Sequence, residues 1–81
     1  MKHYLKFTSE VTGTESFSFY NSERNTSISV DKWSIEADDN VDDIEWHIAY
    51  DLKNGYKFIE AGEFNEAYNN FVDKLNNITN E

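Results

Sequence analysis

Seven carboxylates, Glu36, Asp38, Asp39, Asp42, Asp43, Glu45 and Asp51, lie between Trp33 and Leu52, a stretch that contains no Lys or Arg. They are seven of the chain's sixteen acidic residues. Carboxylates at that density, with no interleaved cation, make a concentrated negative field that repels nucleic acid and anionic membranes and attracts basic surfaces. On a strand, alternate side chains stand about 6.6–6.8 Å apart. On a helical turn, neighbours three or four residues apart stand about 5–6 Å from one another. Either geometry yields a spaced array of negative points, as phosphates do along a nucleic-acid backbone. These seven residues are the candidate partner-binding set.

Other chemistry finds less support in the residue types. Asp38-x-Asn40-x-Asp42 matches the first ligand positions of a calcium loop, but Asp43 stands where that loop needs Gly and Ala49 where it needs a bidentate Glu. No metal site is expected. Of the two histidines, His3 is near the terminus and His47 lies among polar positions beside Glu45. There is no Cys nucleophile, no glycine-rich phosphate loop and no Gly-x-Ser-x-Gly elbow. Paired carboxylates acting as acid and base need a pocket that separates their pKa values, which an exposed acidic loop does not provide. The chain is expected to be a binding protein, with neither catalytic residues nor a cofactor.

The elements that carry these residues follow from hydrophobic periodicity. His3, Leu5 and Phe7 alternate with Tyr4, Lys6 and Thr8, and Phe17 and Phe19 repeat the pattern after a turn at Gly13. Ile28 and Val30 lead towards Trp33 and Ile35 with a kink near Asp31-Lys32, where the alternation slips. Ile44, Trp46, Ile48, Tyr50 and Leu52 alternate without a break, which predicts a half-buried strand with Glu45 and Asp51 on its polar face. Lys53-Asn54-Gly55 then reads as a three-residue hairpin loop that pairs Leu52 with Tyr56, Tyr50 with Phe58 and Asp51 with Lys57. After Gly62 the period changes. Phe64, Ala67, Tyr68, Phe71, Val72, Leu75 and Ile78 form a helical stripe, with Glu63 and Glu66 near its start and Lys74 near its end.

The fold class predicted is α+β: an antiparallel sheet of about four to five strands with one C-terminal amphipathic helix packed on one face. Residues 1–81 make a single small domain, with 76–81 as a fraying tail and Asn21 to Asn25 as an irregular loop. An 81-residue chain buries only about 60–65% of its unfolded surface, and with no cysteine it has no covalent staple. Six Phe, five Tyr and two Trp supply the apolar area instead. Tyr4, Tyr20 and Tyr56 are candidates for partial exposure, as is whichever of Trp33 and Trp46 does not reach the core; an exposed ring beside the acidic set would anchor a protein interface. The lack of cysteine, of a leading apolar segment and of any membrane-length apolar run points to a cytoplasmic protein with no membrane partner.

In size, in a net charge of −9, and in the run from Glu36 to Glu45, the whole chain resembles the small acidic phage-encoded anti-defence proteins, anti-CRISPR proteins and other DNA mimics among them. The resemblance rests on composition and not on a motif. It implies residence in the bacterial cytoplasm and a partner that is a basic nucleic-acid-binding protein, such as a nuclease or a CRISPR effector, against whose Arg and Lys the acidic set stands in for phosphates. The same electrostatics would serve an immunity protein or antitoxin that neutralises a cationic nuclease toxin, and acidity in an accessory phage protein would serve solubility alone. With −9 net charge and no basic patch, the purified chain is expected to leave DNA and RNA unshifted in gels at physiological salt. Retardation at micromolar protein would sink the acidic-mimic reading.

Overall fold

The computed structural model describes residues 1–80. Five strands, β1 (Lys2–Thr8), β2 (Glu15–Asn21), β3 (Thr26–Val30), β4 (Ile35–Asp38) and β5 (Lys57–Phe58), form one antiparallel sheet of order β4-β3-β2-β1-β5. Two helices complete the chain, α1 (Ile44–Lys53) and α2 (Ala61–Thr79). The α+β class stands, and a second helix joins the expected one.

Strand registers sort the side chains by face. Tyr4 lies opposite Phe19, Phe19 opposite Ile28, and Phe17 opposite Val30, which itself lies opposite Ile35. This face packs beneath α2, where Val30, Phe64 and Phe71 are buried among Tyr4, Phe17, Phe19, Ile28, Ile35 and Ile59. The alternate residues turn the other way. Leu5 and Tyr20 are buried with Ile44 of α1, and Val41, Ile48 and Tyr56 pack around them. Period two places neighbours Phe19 and Tyr20 on opposite faces, so the sheet carries one helix on each face and the core is two clusters, not one.

The region from Ile44 to Leu52 is a helix, contrary to the alternation that predicts a strand. Three local features favour it. Asp43 caps α1 from the left-handed region (φ 50°), and its Oδ1 accepts the Trp46 N–H at 3.2 Å. Glu45 in the first turn and Lys53 in the last have the signs that the helix dipole favours. At the other end the Tyr56 N–H reaches the Asp51 carbonyl (3.0 Å) and the Gly55 N–H the Leu52 carbonyl (3.3 Å). That pair of bonds is a Schellman cap, which requires a residue at positive φ, and Gly55 sits at 95°. The glycine that suggests a hairpin therefore ends a helix, because both turns need the same backbone conformation. None of the pairings expected across it forms; Lys57 and Phe58 pair with Lys6 and Leu5 of β1.

Other differences are smaller. The kink near Asp31-Lys32 is a full reversal closed by the Asp31 N–H on the Ser34 carbonyl at 2.8 Å, so one bent strand becomes the hairpin of β3 and β4. The turn from Asn21 to Asn25 is organised: the Asn21 Oδ1 accepts the Glu23 and Arg24 N–H groups at 3.0 and 3.3 Å, and Asn25 takes a positive φ. Helix α2 runs through Thr79, so most of the expected tail is helical, and Glu81 lies outside the described residues. Tyr4 and Tyr56 are half-buried, whereas Tyr20, expected near the surface, is buried.

The apolar stripe of α2 is only partly used. Phe64 and Phe71 are buried, but Leu75 and Ile78 remain 45% and 58% exposed. Truncating Phe71 to Ala is expected to lower stability by about 3–5 kcal/mol, as for other buried Phe-to-Ala changes. Leu75→Ala is expected to cost less than about 1 kcal/mol, in the range of surface substitutions. Urea melts that rank the two variants the other way would show that α2 sits in a different register on the sheet.

Candidate acidic and aromatic interface

The face occupied by α1 is covered only over β1 and β2. Beyond them Ser27 and Ser29 of β3 lie opposite Asp38 and Glu36 of β4, so Glu36 and Asp38 project on the same side of the sheet as α1. Both are exposed. The chain then turns at Asp39, Asn40 (φ 56°) and Val41, whose N–H donates to the Asn25 carbonyl at 2.8 Å. Val41 packs into the Leu5–Tyr20–Ile44 cluster. That hydrogen bond and that contact fasten the connection to the β2–β3 turn, leaving Asp39 and Asp42 pointing into solvent.

Of the seven sequence-predicted residues, Glu36, Asp38, Asp39 and Asp42 form one continuous exposed run at the β4–α1 junction. Asp43 adjoins them, but its carboxylate is engaged as the helix cap. Glu45 lies on the flank of α1 that faces the β5 edge, at the rim of a groove of about 370 Å³ lined by Met1, His3, Ile48, Leu52 and Phe58. Asp51 departs from the expectation. It is half-buried on the inner side of α1, and its Oδ2 accepts the Tyr20 hydroxyl at 2.5 Å. A helix, unlike the strand predicted, rotates successive residues by about 100°, and so Asp51 turns inward while Glu45 turns out.

No ion pair links any of these seven to a Lys or Arg among the described residues. Lys6 is held on the α2 face by Glu15 (2.7 Å) and Glu63 (2.8 Å), and those two carboxylates raise its pKa above the ordinary lysine range. Arg24, in the turn next to the acidic run, forms no salt bridge with it. Neither do three His, Asp or Glu side chains come together anywhere among the described residues in a group that could hold a metal ion, and the Asp38-Asn40-Asp42 run makes no exception. No helix among the described residues is long and apolar enough to cross a membrane.

Sequence reasoning expected one of Trp33 and Trp46 to be exposed and missed that both are, together with Tyr50. Both tryptophans are exposed, Trp33 by 75% and Trp46 by 55%. On α1 the Trp46 ring stacks on Tyr50 at 5.2 Å with an interplanar angle of 17°, and Tyr50 is itself 53% exposed. His47, half-buried, stacks on Tyr20 at 6.3 Å and meets Trp46 edge-on at 5.1 Å. The signal was present as the four-residue interval between Trp46 and Tyr50, which is a helical neighbour spacing as well as a strand one.

No family model, curated protein or solved structure matches the chain.

Burial first, and then the adjacent Asp51 carboxylate, push the Tyr20 phenol above the ordinary tyrosine range. Tyr56 is raised by burial and by Asp51 and Asp31, opposed by a hydrogen bond from Ser18. A phenol whose pKa is raised in the fold contributes stability that is complete below its unfolded value of about 10 and is lost as pH rises past it. The protein is therefore expected to weaken between about pH 10 and 12. Tyr20→Phe is expected to cost about 1–2 kcal/mol at neutral pH, through the lost bond to a charged acceptor, and to flatten that alkaline decline. Urea melts at neutral and alkaline pH check both; an unchanged decline would place its origin elsewhere.

Proposed function

We propose that the chain is an acidic inhibitor that binds a basic nucleic-acid-binding surface of a bacterial nuclease or CRISPR effector and occupies it as a DNA mimic. One observation carries the reading: the carboxylates of the β4–α1 junction have no cationic partner among the described residues, while three of the chain's six lysines are engaged elsewhere. Lys6 bridges Glu15 and Glu63, and Lys32 and Lys74 lie over the Trp33 ring at 5.1 and 3.9 Å. An uncompensated field of this kind costs stability through self-repulsion and steers basic partners towards itself.

The geometry supports phosphate mimicry in outline. Glu36 and Asp38 are alternate residues of one strand and share a face, about 6.6–6.8 Å apart. Asp39 and Asp42 continue the line off the strand end along a connection that Val41 fastens to the body. Carboxylates on a fastened backbone lose less entropy on binding than those on a loose tail. In this reading Glu36, Asp38, Asp39 and Asp42 meet Arg and Lys of the partner directly. Asp43 shapes the connection, and Asp51 holds α1 to the sheet.

The test compares position at constant charge. Reversing Glu36, Asp38, Asp39 and Asp42 to Lys is expected to abolish capture of DNA-binding nucleases from a bacterial lysate. Reversing the equally exposed Glu10, Glu60, Glu66 and Asp73 to Lys is expected to leave capture largely intact. Captured nucleases should also be released by added duplex DNA and by rising salt, since rim charges act through association rate and are screened within about 10 Å at 0.1 M. Equal loss from both quadruple variants would reduce the effect to net charge. Capture that survives excess duplex DNA would exclude occupation of the DNA-binding surface.

A further inference from the structure

The two tryptophans are both exposed, yet they differ in one respect. Trp33, in the β3–β4 turn, already has cations on its ring: the Nζ of Lys74 lies 3.9 Å from the centroid and that of Lys32 lies 5.1 Å away. Trp46 has neither a Lys nor an Arg over its ring among the described residues, and it lies in the longest stretch of the chain without a Lys or Arg. The protein thus satisfies one indole electrostatically from within and leaves the other open.

The surroundings of Trp46 specify what would fill that vacancy. Tyr50, one turn further along α1, stacks on it at 5.2 Å and stiffens the ring. Asp43, the cap residue, and the exposed Asp42 stand immediately before the first turn of α1, the turn from which Trp46 projects. The Trp46 backbone N–H donates to the Asp43 carboxylate at 3.2 Å, which fixes the entry to α1 beside the turn that carries the ring. A planar aromatic surface bordered by carboxylates is complementary to a planar cation that stacks on the ring while its edge donates hydrogen bonds to the acids. Guanidinium meets both requirements. Ammonium, a compact and strongly hydrated point charge, stacks less well and donates without a fixed plane.

We infer that the Trp46–Tyr50 stack on α1 is the docking anchor for an arginine-bearing segment of the partner protein, seated on Trp46 and bonded to Asp42. The inference rests on the acidic-surface reading above and deepens it: the partner's contact residue is arginine, not simply any cation. It also gives the exposed aromatic face of α1 a use. Stacked rings at the edge of a charged surface supply apolar area and geometric selectivity that carboxylates alone lack.

The probes are nona-arginine and nona-lysine peptides, each titrated into the full chain while the two indole N–H resonances are followed by NMR. Both peptides are expected to bind, with affinities that fall as salt rises. Nona-arginine is expected to shift the Trp46 indole resonance and leave that of Trp33 in place. Carboxylates by themselves favour arginine, so the decisive measure is the ratio of the two affinities across variants. Trp46→Ala is expected to lower nona-arginine affinity by about two- to fivefold more than nona-lysine affinity, the range for an exposed cation–π contact. Trp46→Phe, which keeps a ring, is expected to recover part of that difference, and Trp33→Ala to leave the ratio unchanged. Circular dichroism of each variant confirms that α1 persists. An affinity ratio untouched by Trp46→Ala, with both peptides still bound, would remove the arginine anchor and leave the acidic surface standing. Failure of both peptides to bind at low salt would remove the two together.

Discussion

Strand β2 lies at the centre of the sheet and carries apolar rings on both of its faces. Phe17 and Phe19 point one way and Tyr20 the other, and a sheet whose two faces are both apolar must be covered twice. Helix α2 covers the first face through Phe64 and Phe71. The second face needs an apolar element of its own, and Ile44 and Ile48 of α1 supply it. Much else follows from that demand. The acidic connection has to cross from the β4 edge back over the sheet to start α1, and Val41 is the residue that fastens it on the way.

The same demand sorts the charges. A helix resting on β1 and β2 leaves β3 and β4 open on that side, and there the strands present Ser27, Ser29, Glu36 and Asp38 in place of apolar groups. Three of the lysines are held elsewhere: Lys6 belongs to the α2 face, and Lys32 and Lys74 come together at the β3–β4 turn around Trp33. The carboxylates of β4 and the β4–α1 junction are thus left without an ion pair among the described residues, while Glu15 and Glu63 share Lys6 on the other face. The field from unpaired carboxylates is screened beyond about 8–10 Å at physiological salt, so its effect is felt at contact range, where Trp46 and Tyr50 also lie.

One part-buried polar contact joins the acidic block to the core. Asp51 belongs to the acidic block by sequence, yet its carboxylate accepts the Tyr20 hydroxyl beneath α1. The bond holds the helix against the central strand and withdraws one negative charge from the outer surface. A phenol donating to a carboxylate satisfies both groups, so the polar atoms at the edge of this small core do not act against its formation.

Composition and periodicity alone determined the α+β class, the strands around Leu5 and Phe19, the long C-terminal helix and the presence of an uncompensated acidic block. Each of these depends on local repetition or on counting, and both are properties of the chain before it folds. Tertiary structure decided the state of residues 44–53. Apolar residues at every second position satisfy a strand completely, and through Ile44 and Ile48 they satisfy a helix as well. The choice fell to the Asp43 cap, the Gly55 cap and the uncovered face of β2, only the last of which is a long-range effect. Once that segment was helical, Trp46 and Tyr50 turned outward, Asp51 turned inward and Glu45 moved to the far flank. The charges could be read from the sequence, but which of them face a partner depended on the rotation of one helix, fixed by what it had to cover.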